Sequence, residues 1–188
     1  GEEGEDSVTI KLQYRLEEAG PTLLLDKSAK VELDGELISL NNSTITGPYY
    51  EIRKPIGEFT GDHLILFTNS GGEQYKEKFS FHPILLKEKM PESLKRGMIE
   101  FILDGLSQEG YVRVLMTDTS YAGEGIDRLD TVSNGRIIIT EGDLQKLANG
   151  PIYLELIKEN ERQVRDGTFE GGRIAIYYGL KREFILTD

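Results

Sequence analysis

The 188-residue chain has no cysteine and no tryptophan. Without a thiol there is no disulfide framework, no thiolate nucleophile and no thiolate metal site. Without indole the strongest stacking platform for a sugar is missing. Long apolar runs are absent too. Nothing approaches the roughly 20 residues that cross a bilayer as a helix, and no secretory apolar segment precedes the first alternating stretch. Positive charge is scarce, 22 Lys and Arg against 33 Asp and Glu, and the net charge of −11 repels phosphate backbones, which argues against a nucleic-acid partner. The chain also lacks Gly-x-Ser-x-Gly, His-Glu-x-x-His, a phosphate loop ending in Lys-Ser/Thr and Gly-x-Gly-x-x-Gly. A carboxylate pair for glycoside hydrolysis can be assembled from distant residues, but spacing singles none out. The expectation is a protein that is not an enzyme, with no catalytic, cofactor-binding or metal residue assigned and no cofactor implied.

What the chain does have is alternation. Val8, Ile10, Leu12, Tyr14 and Leu16 alternate with Thr9, Lys11, Gln13 and Arg15, the period of two of a half-buried strand. Strand-length segments follow at 22–25, 29–33, 37–40, 49–52, 63–68 and 75–84, punctuated by turn signals at Asp34-Gly35, Gly47-Pro48, Lys54-Pro55 and Gly71-Gly72. Seven short strands with such spacing predict a sandwich. The second half adds 98–103, 111–117, 136–140, 152–158, 172–178 and 183–186. Between them, Thr140 three residues before Asp143, with Leu144 and Leu147 sharing a face and Asn149-Gly150-Pro151 as a stop, predicts one short helix over 141–149.

Domains of roughly 100 to 150 residues are the commonest, and a sandwich can be as short as about 100, so 188 residues admit one large sandwich or two small ones. The polar stretch 87–97, with Met90-Pro91 and no alternation, marks the boundary. The fold class expected is all-β, two tandem immunoglobulin-like antiparallel β-sandwich domains with one short helix in the second. Residues 1–6 are an acidic leader, 7–88 the N-terminal sandwich, 89–97 a linker and 98–188 the C-terminal sandwich. A single elongated sandwich is the alternative.

Three groups of residues carry candidate chemistry. His63 and His82, the only histidines, flank the Gly71-Gly72 turn. A two-residue turn puts His63 opposite Ser80 with His82 diagonal to it, and a turn centred one residue further on puts the histidines opposite each other. Either register gives them one face, with Leu64 and Leu66 on the other, and two imidazoles could hold zinc or copper if Glu58 or Asp62 completed the set. The plainer alternative is an exposed His63 beside Lys76 and Lys78, and a His82 that merely precedes Pro83. The acidic stretch 117–130, from Thr117 to Asp130, reads as a long loop whose carboxylates Asp118, Glu124, Asp127 and Asp130 could wrap calcium, although Arg128 competes for them and no EF-hand spacing is present. Tyr121 at its tip could offer a platform to a sugar or peptide; the plain alternative is a solvated loop. Tyr49-Tyr50 and Tyr177-Tyr178 each place one ring in a core and one on a surface. Asn41 and Asn42 both head glycosylation triplets, to which no weight is given.

The acidic opening Gly1–Asp6, the stretch Gly-Asp-His-Leu-Ile-Leu-Phe-Thr-Asn from Gly61, and the closing Gly-Gly-Arg-Ile-Ala-Ile-Tyr-Tyr-Gly-Leu-Lys-Arg-Glu-Phe from Gly171 resemble small exported lipoproteins of Bacteroidetes with tandem immunoglobulin-like β-sandwich domains. In that group an acidic stretch follows a lipidated cysteine. The resemblance therefore implies an extracytoplasmic protein, at the cell surface or in the periplasm and anchored to the outer membrane by a lipid on a removed segment, and the opening without methionine fits a processed N-terminus. It transfers no functional residue, because the group has no single activity. The function expected is adhesion, scaffolding or assembly through a protein partner. The alternative is a glycan-binding accessory protein of a polysaccharide-use system.

Overall fold

A computed structural model describes residues 6–15, 20–105, 109–120, 123–166 and 172–188. In chain order its elements are β1 (Ser7–Gln13), β2 (Lys30–Leu33), β3 (Glu36–Leu37), β4 (Ser39–Ser43), β5 (Gly47–Pro55), β6 (Gly61–Thr68), β7 (Gln74–Phe81), β8 (Leu85–Leu86), β9 (Ser93–Lys95), β10 (Ile99–Asp104), β11 (Glu109–Asp118), β12 (Ile126–Ser133), β13 (Arg136–Ile139), α1 (Glu141–Leu144), β14 (Gly150–Gln163) and β15 (Arg173–Thr187), with a single 3-10 turn at Ile56–Glu58. The class is all-β with antiparallel sheets, as the alternation predicts; among the described pairs only β9 runs parallel, to β15.

The chain divides into two compact units. One consists of Ser7–Phe81 with the described residues of Glu159–Tyr177; the other of Asp6, His82–Lys158 and Tyr178–Asp188. This differs in two respects from a tandem division into 7–88 and 98–188. First, β14 and β15, of 14 and 15 residues, serve both units. At roughly 3.3 Å per residue each is about 50 Å long, more than twice a typical strand, so one strand can line two cores. Second, 89–97 is no open linker. It contains β9, and the Arg96 guanidinium donates to the carbonyls of Leu144 and Leu147 and to Asn149 Oδ1. These bonds fix the segment against α1 and the turn that follows it. The last residue of the acidic leader, Asp6, is also part of the fold, buried against Arg182 at 3.2 Å.

In the first unit the strands pair in the orders β4-β5-β1-β15-β14 and β3-β2-β6-β7. Val8, Ile10 and Leu12 of β1 are buried, as are Val31, Leu33, Ile65 and Phe67 of the second sheet, and the Tyr14 ring meets Phe67 at 5.0 Å and Tyr50 at 5.8 Å. Burial, and next the neighbouring Tyr50, pushes the Tyr14 hydroxyl far above its usual range. Ile38, 3% exposed, is the step at which the chain leaves one sheet for the other. Residues 22–25, expected as a strand, pair among the described residues only through an isolated bridge of Thr22 to Arg15.

In the second unit the order is β15-β14-β11-β12-β13-β10-β8. Val112, Val114 and Met116 of β11 and Leu154 and Leu156 of β14 make its core with Leu144 and Leu147 after the Thr140 cap. The capping box is present as predicted, but the helix stops at Leu144 rather than near Asn149, because the N–H groups of Lys146 and Leu147 bond only three residues back and that of Ala148 goes to Asp118. Tyr178 is buried and donates its hydroxyl to Ile84 O at 3.1 Å.

Candidate functional site

The two histidines do not share a face. β6 and β7 pair with Gly61 opposite Phe81, His63 opposite Phe79 and Thr68 opposite Gln74. The connection is an odd one, Ser70-Gly71-Gly72 between Asn69 and Glu73, with Gly72 at φ +86°. Asn69 Oδ1 accepts the N–H of Gly71 and of Glu73, each at 2.9 Å. An odd loop shifts the register by one against an even loop, and a shift of one moves every side chain to the other face. His63 therefore lies on the core side with Ile65, Phe79 and Phe81, while His82 falls beyond the end of β7 and is exposed. The expected wet histidine face is in fact the apolar one.

His63 is held accordingly. Its ring stacks on Phe59 at 3.7 Å and 11°, its side chain is 9% exposed, and Nδ1 sits 2.7 Å from Asp34 Oδ2. A carboxylate only accepts, so Nδ1 carries the proton. Nε2 is buried and has no hydrogen-bond partner among the described residues. Asp34 occupies the first position of the Asp34-Gly35 hairpin at φ +52°, and its Oδ1 takes the Leu64 N–H at 2.8 Å. The turn predicted from sequence thus also positions the imidazole. Neither Glu58 nor Asp62 joins the histidines, and among the described residues no group of three His, Cys, Asp or Glu could hold a metal ion.

Beside this hairpin is a cleft of about 580 Å³, lined by Asp34, Asp62, His63, Lys78, Ser80, Arg162 and neighbours. The returning strand β14 brings Arg162 to Glu77, which is 3% exposed, at 2.5 Å. The other Glu77 oxygen takes the Arg165 N–H at 2.6 Å. Arg162 also donates to Lys78 O at 3.2 Å, and Asp166 takes the Lys76 N–H at 2.9 Å. These contacts occupy the outer edge of β7. No local spacing points to them, since Glu77 and Arg162 are 85 positions apart.

The stretch 117–130 is not one loop. β11 runs to Asp118 and β12 starts at Ile126, so the connection is short; Tyr121 lies outside the described residues. Alternation along β12 sends Asp127 and Asp130 to opposite faces, which prevents a common calcium shell from them. Asp127 forms a two-pronged pair with Arg113 at 2.7 Å, a hydrogen bond that lowers its pKa. Arg128 binds Asp130 at 2.8 Å, Asp143 at 2.7 Å and Ile138 O at 2.9 Å. Asp118 is buried and accepts Ser120 Oγ at 2.5 Å and the N–H groups of Gly123 and Ala148. The signal for β12 was Asn134-Gly135, at φ +52° and +72° between two apolar-alternating segments.

The paired tyrosines divide as alternation predicts, Tyr50 and Tyr178 buried, Tyr49 and Tyr177 partly exposed. Burial first, then Glu159, pushes the Tyr177 hydroxyl up to about 12, and Lys11 lies 4.1 Å over the Tyr49 ring. Tyr111 and Tyr153 are exposed and, by the pairing of Thr117 with Tyr153, lie on one face of the second unit. Six residues separate Tyr111 from Thr117, about 20 Å along the strand, so they form no common platform.

Sequence reasoning missed one further surface. β4, Ser39-Leu40-Asn41-Asn42-Ser43, pairs only with β5, and its other side has no strand partner among the described residues. It has no charged residue and no proline, Leu40 is 48% exposed, and Ile45 at the following turn is 91% exposed.

No protein-family model matches the chain, and no curated protein matches it. Among solved structures it is similar to the crystal structure of DIP-gamma IG1+IG2, at 8% identity, over 98% of this chain and 89% of that one, with a TM-score of 0.24. At that score the likeness assigns no fold, and the class stands on the strand pairing itself.

Proposed function

We propose that the chain is a non-enzymatic interaction protein which takes an extended segment of another protein along β4. The observation that carries this is the state of the sheet edges. β3 and β8 are two residues each, β9 has three and ends in Lys95, and the β7 edge is occupied by Arg162 and Asp166. Proteins guard edges in such ways because unpaired N–H and C=O groups invite another strand. β4 has none of these guards, and about half of its backbone polar groups point outward. Strand addition would pair them, with Leu40 and Ile45 as apolar anchors. A second copy is disfavoured as the occupant because pairing two chains brings two charges of −11 together.

The test selects peptides from a random displayed library on the intact protein and follows amide hydrogen exchange. Selected peptides are expected to slow exchange across 39–43 and to lose binding to the Leu40→Lys/Asn42→Lys variant. Peptides that protect another region, or a wild-type dimer that the same variant dissolves, would overturn the reading. An extracytoplasmic, lipid-anchored setting is part of the proposal and rests on the lipoprotein resemblance. It expects the gene to encode a signal peptide and a cysteine directly upstream, and a reading frame that starts near Glu2 would sink it.

A further inference from the structure

The cleft beside the β6–β7 hairpin contains cationic side chains that its own carboxylates do not engage. Asp34 is committed to His63 and the Leu64 N–H, Asp62 accepts the Ser80 hydroxyl, and Arg162 is committed to Glu77 and Lys78 O. Lys78 and Arg165 line the same cleft and are exposed, and although their backbone groups are hydrogen-bonded, the Lys78 ammonium and the Arg165 guanidinium have no ion-pair or hydrogen-bond partner among the described residues. In a chain with 33 acidic and 22 basic residues, acidic partners outnumber the cations that need them. Two cationic side chains without a partner among the described residues therefore share one concavity with Asp34 and Asp62, whose carboxylates already accept hydrogen bonds from His63, the Leu64 N–H and Ser80.

We propose that this cleft binds a carboxylate-bearing sugar, a uronate residue of an acidic oligosaccharide. The carboxylate is held between Arg165, which offers a planar fork of donors, and the Lys78 ammonium. The hydroxyls of the ring meet the Asp62–Ser80 pair and the Asn160 amide, whose oxygens and N–H groups supply both acceptors and donors. The volume of about 580 Å³ suits a small ligand. The site is partly organised in advance, because buried Glu77 holds the Arg165 backbone N–H at 2.6 Å and so fixes the point from which that side chain extends.

The experiment is calorimetric titration of the full chain with trigalacturonate and triglucuronate, with their carboxyl-reduced, uncharged forms, and with inorganic phosphate. Wild type is expected to bind at least one uronate trimer and not its reduced form, and the Lys78→Ala/Arg165→Ala variant to lose about tenfold or more in affinity, as expected for removing two charge-assisted contacts. Both side chains are exposed, and an unchanged circular dichroism melt checks that the variant folds. The proposal is overturned if no uronate binds, if the reduced trimers bind equally, if the double variant binds as wild type does, or if phosphate alone binds as tightly as the trimers.

Discussion

Asp143 accepts from the Thr140 hydroxyl at 2.7 Å, from the Thr140 N–H at 2.9 Å and from Arg128 at 2.7 Å. Burial alone would raise its pKa, but Arg128 and then Thr140 outweigh that and hold it down at about 2, against an ordinary 3.8. A carboxylate depressed on folding stabilises the native state above its unfolded pKa and loses that contribution as pH falls through the folded one. At roughly 1.4 kcal/mol per pH unit the depression is worth about 2 kcal/mol. Asp143→Asn is therefore expected to lower unfolding stability by about 2 kcal/mol at pH 7, with the difference from wild type shrinking between pH 4 and pH 2, as read by urea titration at each pH. Asp34→Ala strips the Leu64 N–H and the imidazole of their acceptor, and a loss of about 1–3 kcal/mol is expected. Asp34→Asn, which keeps an acceptor oxygen, should lose less in the same measurement. The Thr140 cap was legible because its partners are three positions apart, within the reach of a local motif. Arg128 against Asp143 was not, since 15 positions and a strand register separate them.

Hairpins show where local signals end. Asp34-Gly35 was legible as a two-residue turn, and β2 pairs with β3 across it, Leu33 opposite Glu36. Gly71-Gly72 was legible as a turn but not as an odd one, because the Asn69 side chain adds a residue to the loop by taking two N–H groups. That single residue decided which face His63 occupies. Asn134-Gly135 was a strong turn signal of the same kind, and reading it would have replaced the candidate calcium loop with β12. At Gly135, φ is +72° and a Cβ would stand 2.7 Å from Leu103 O. Gly135→Ala should thus destabilise by about 1–3 kcal/mol in thermal or chemical unfolding, with Gly57→Ala, where a Cβ meets open space, as the mild comparison.

At the scale of the molecule, what the sequence could not disclose was the sharing of β14 and β15, because alternation reports faces and not which core a face serves. Buried Glu77 depends on Arg162, so a fragment of residues 7–88 contains the acid without its cation. Stranding a buried charge costs about 3–5 kcal/mol, a large part of the stability of a domain this size. Expressed alone, 7–88 is expected to show no cooperative melt, and adding a peptide of residues 159–177 should restore one. A sharp transition of 7–88 by itself would show that the first unit is complete within that segment.

The shared strands also constrain the chain during synthesis. Translation proceeds from the N-terminus at about 5–20 residues per second, and ordinary domains fold in turn as each emerges. Here residues 7–81 leave the ribosome early, yet the strands that complete their sheet and neutralise Glu77 come only with 159–177. The second unit likewise waits for 178–188. Neither core can close until residues 159–188 have been made, so the strands of 7–81 stay open while the whole intervening segment is elongated, with their edges and apolar rows accessible to whatever chaperone reaches them first.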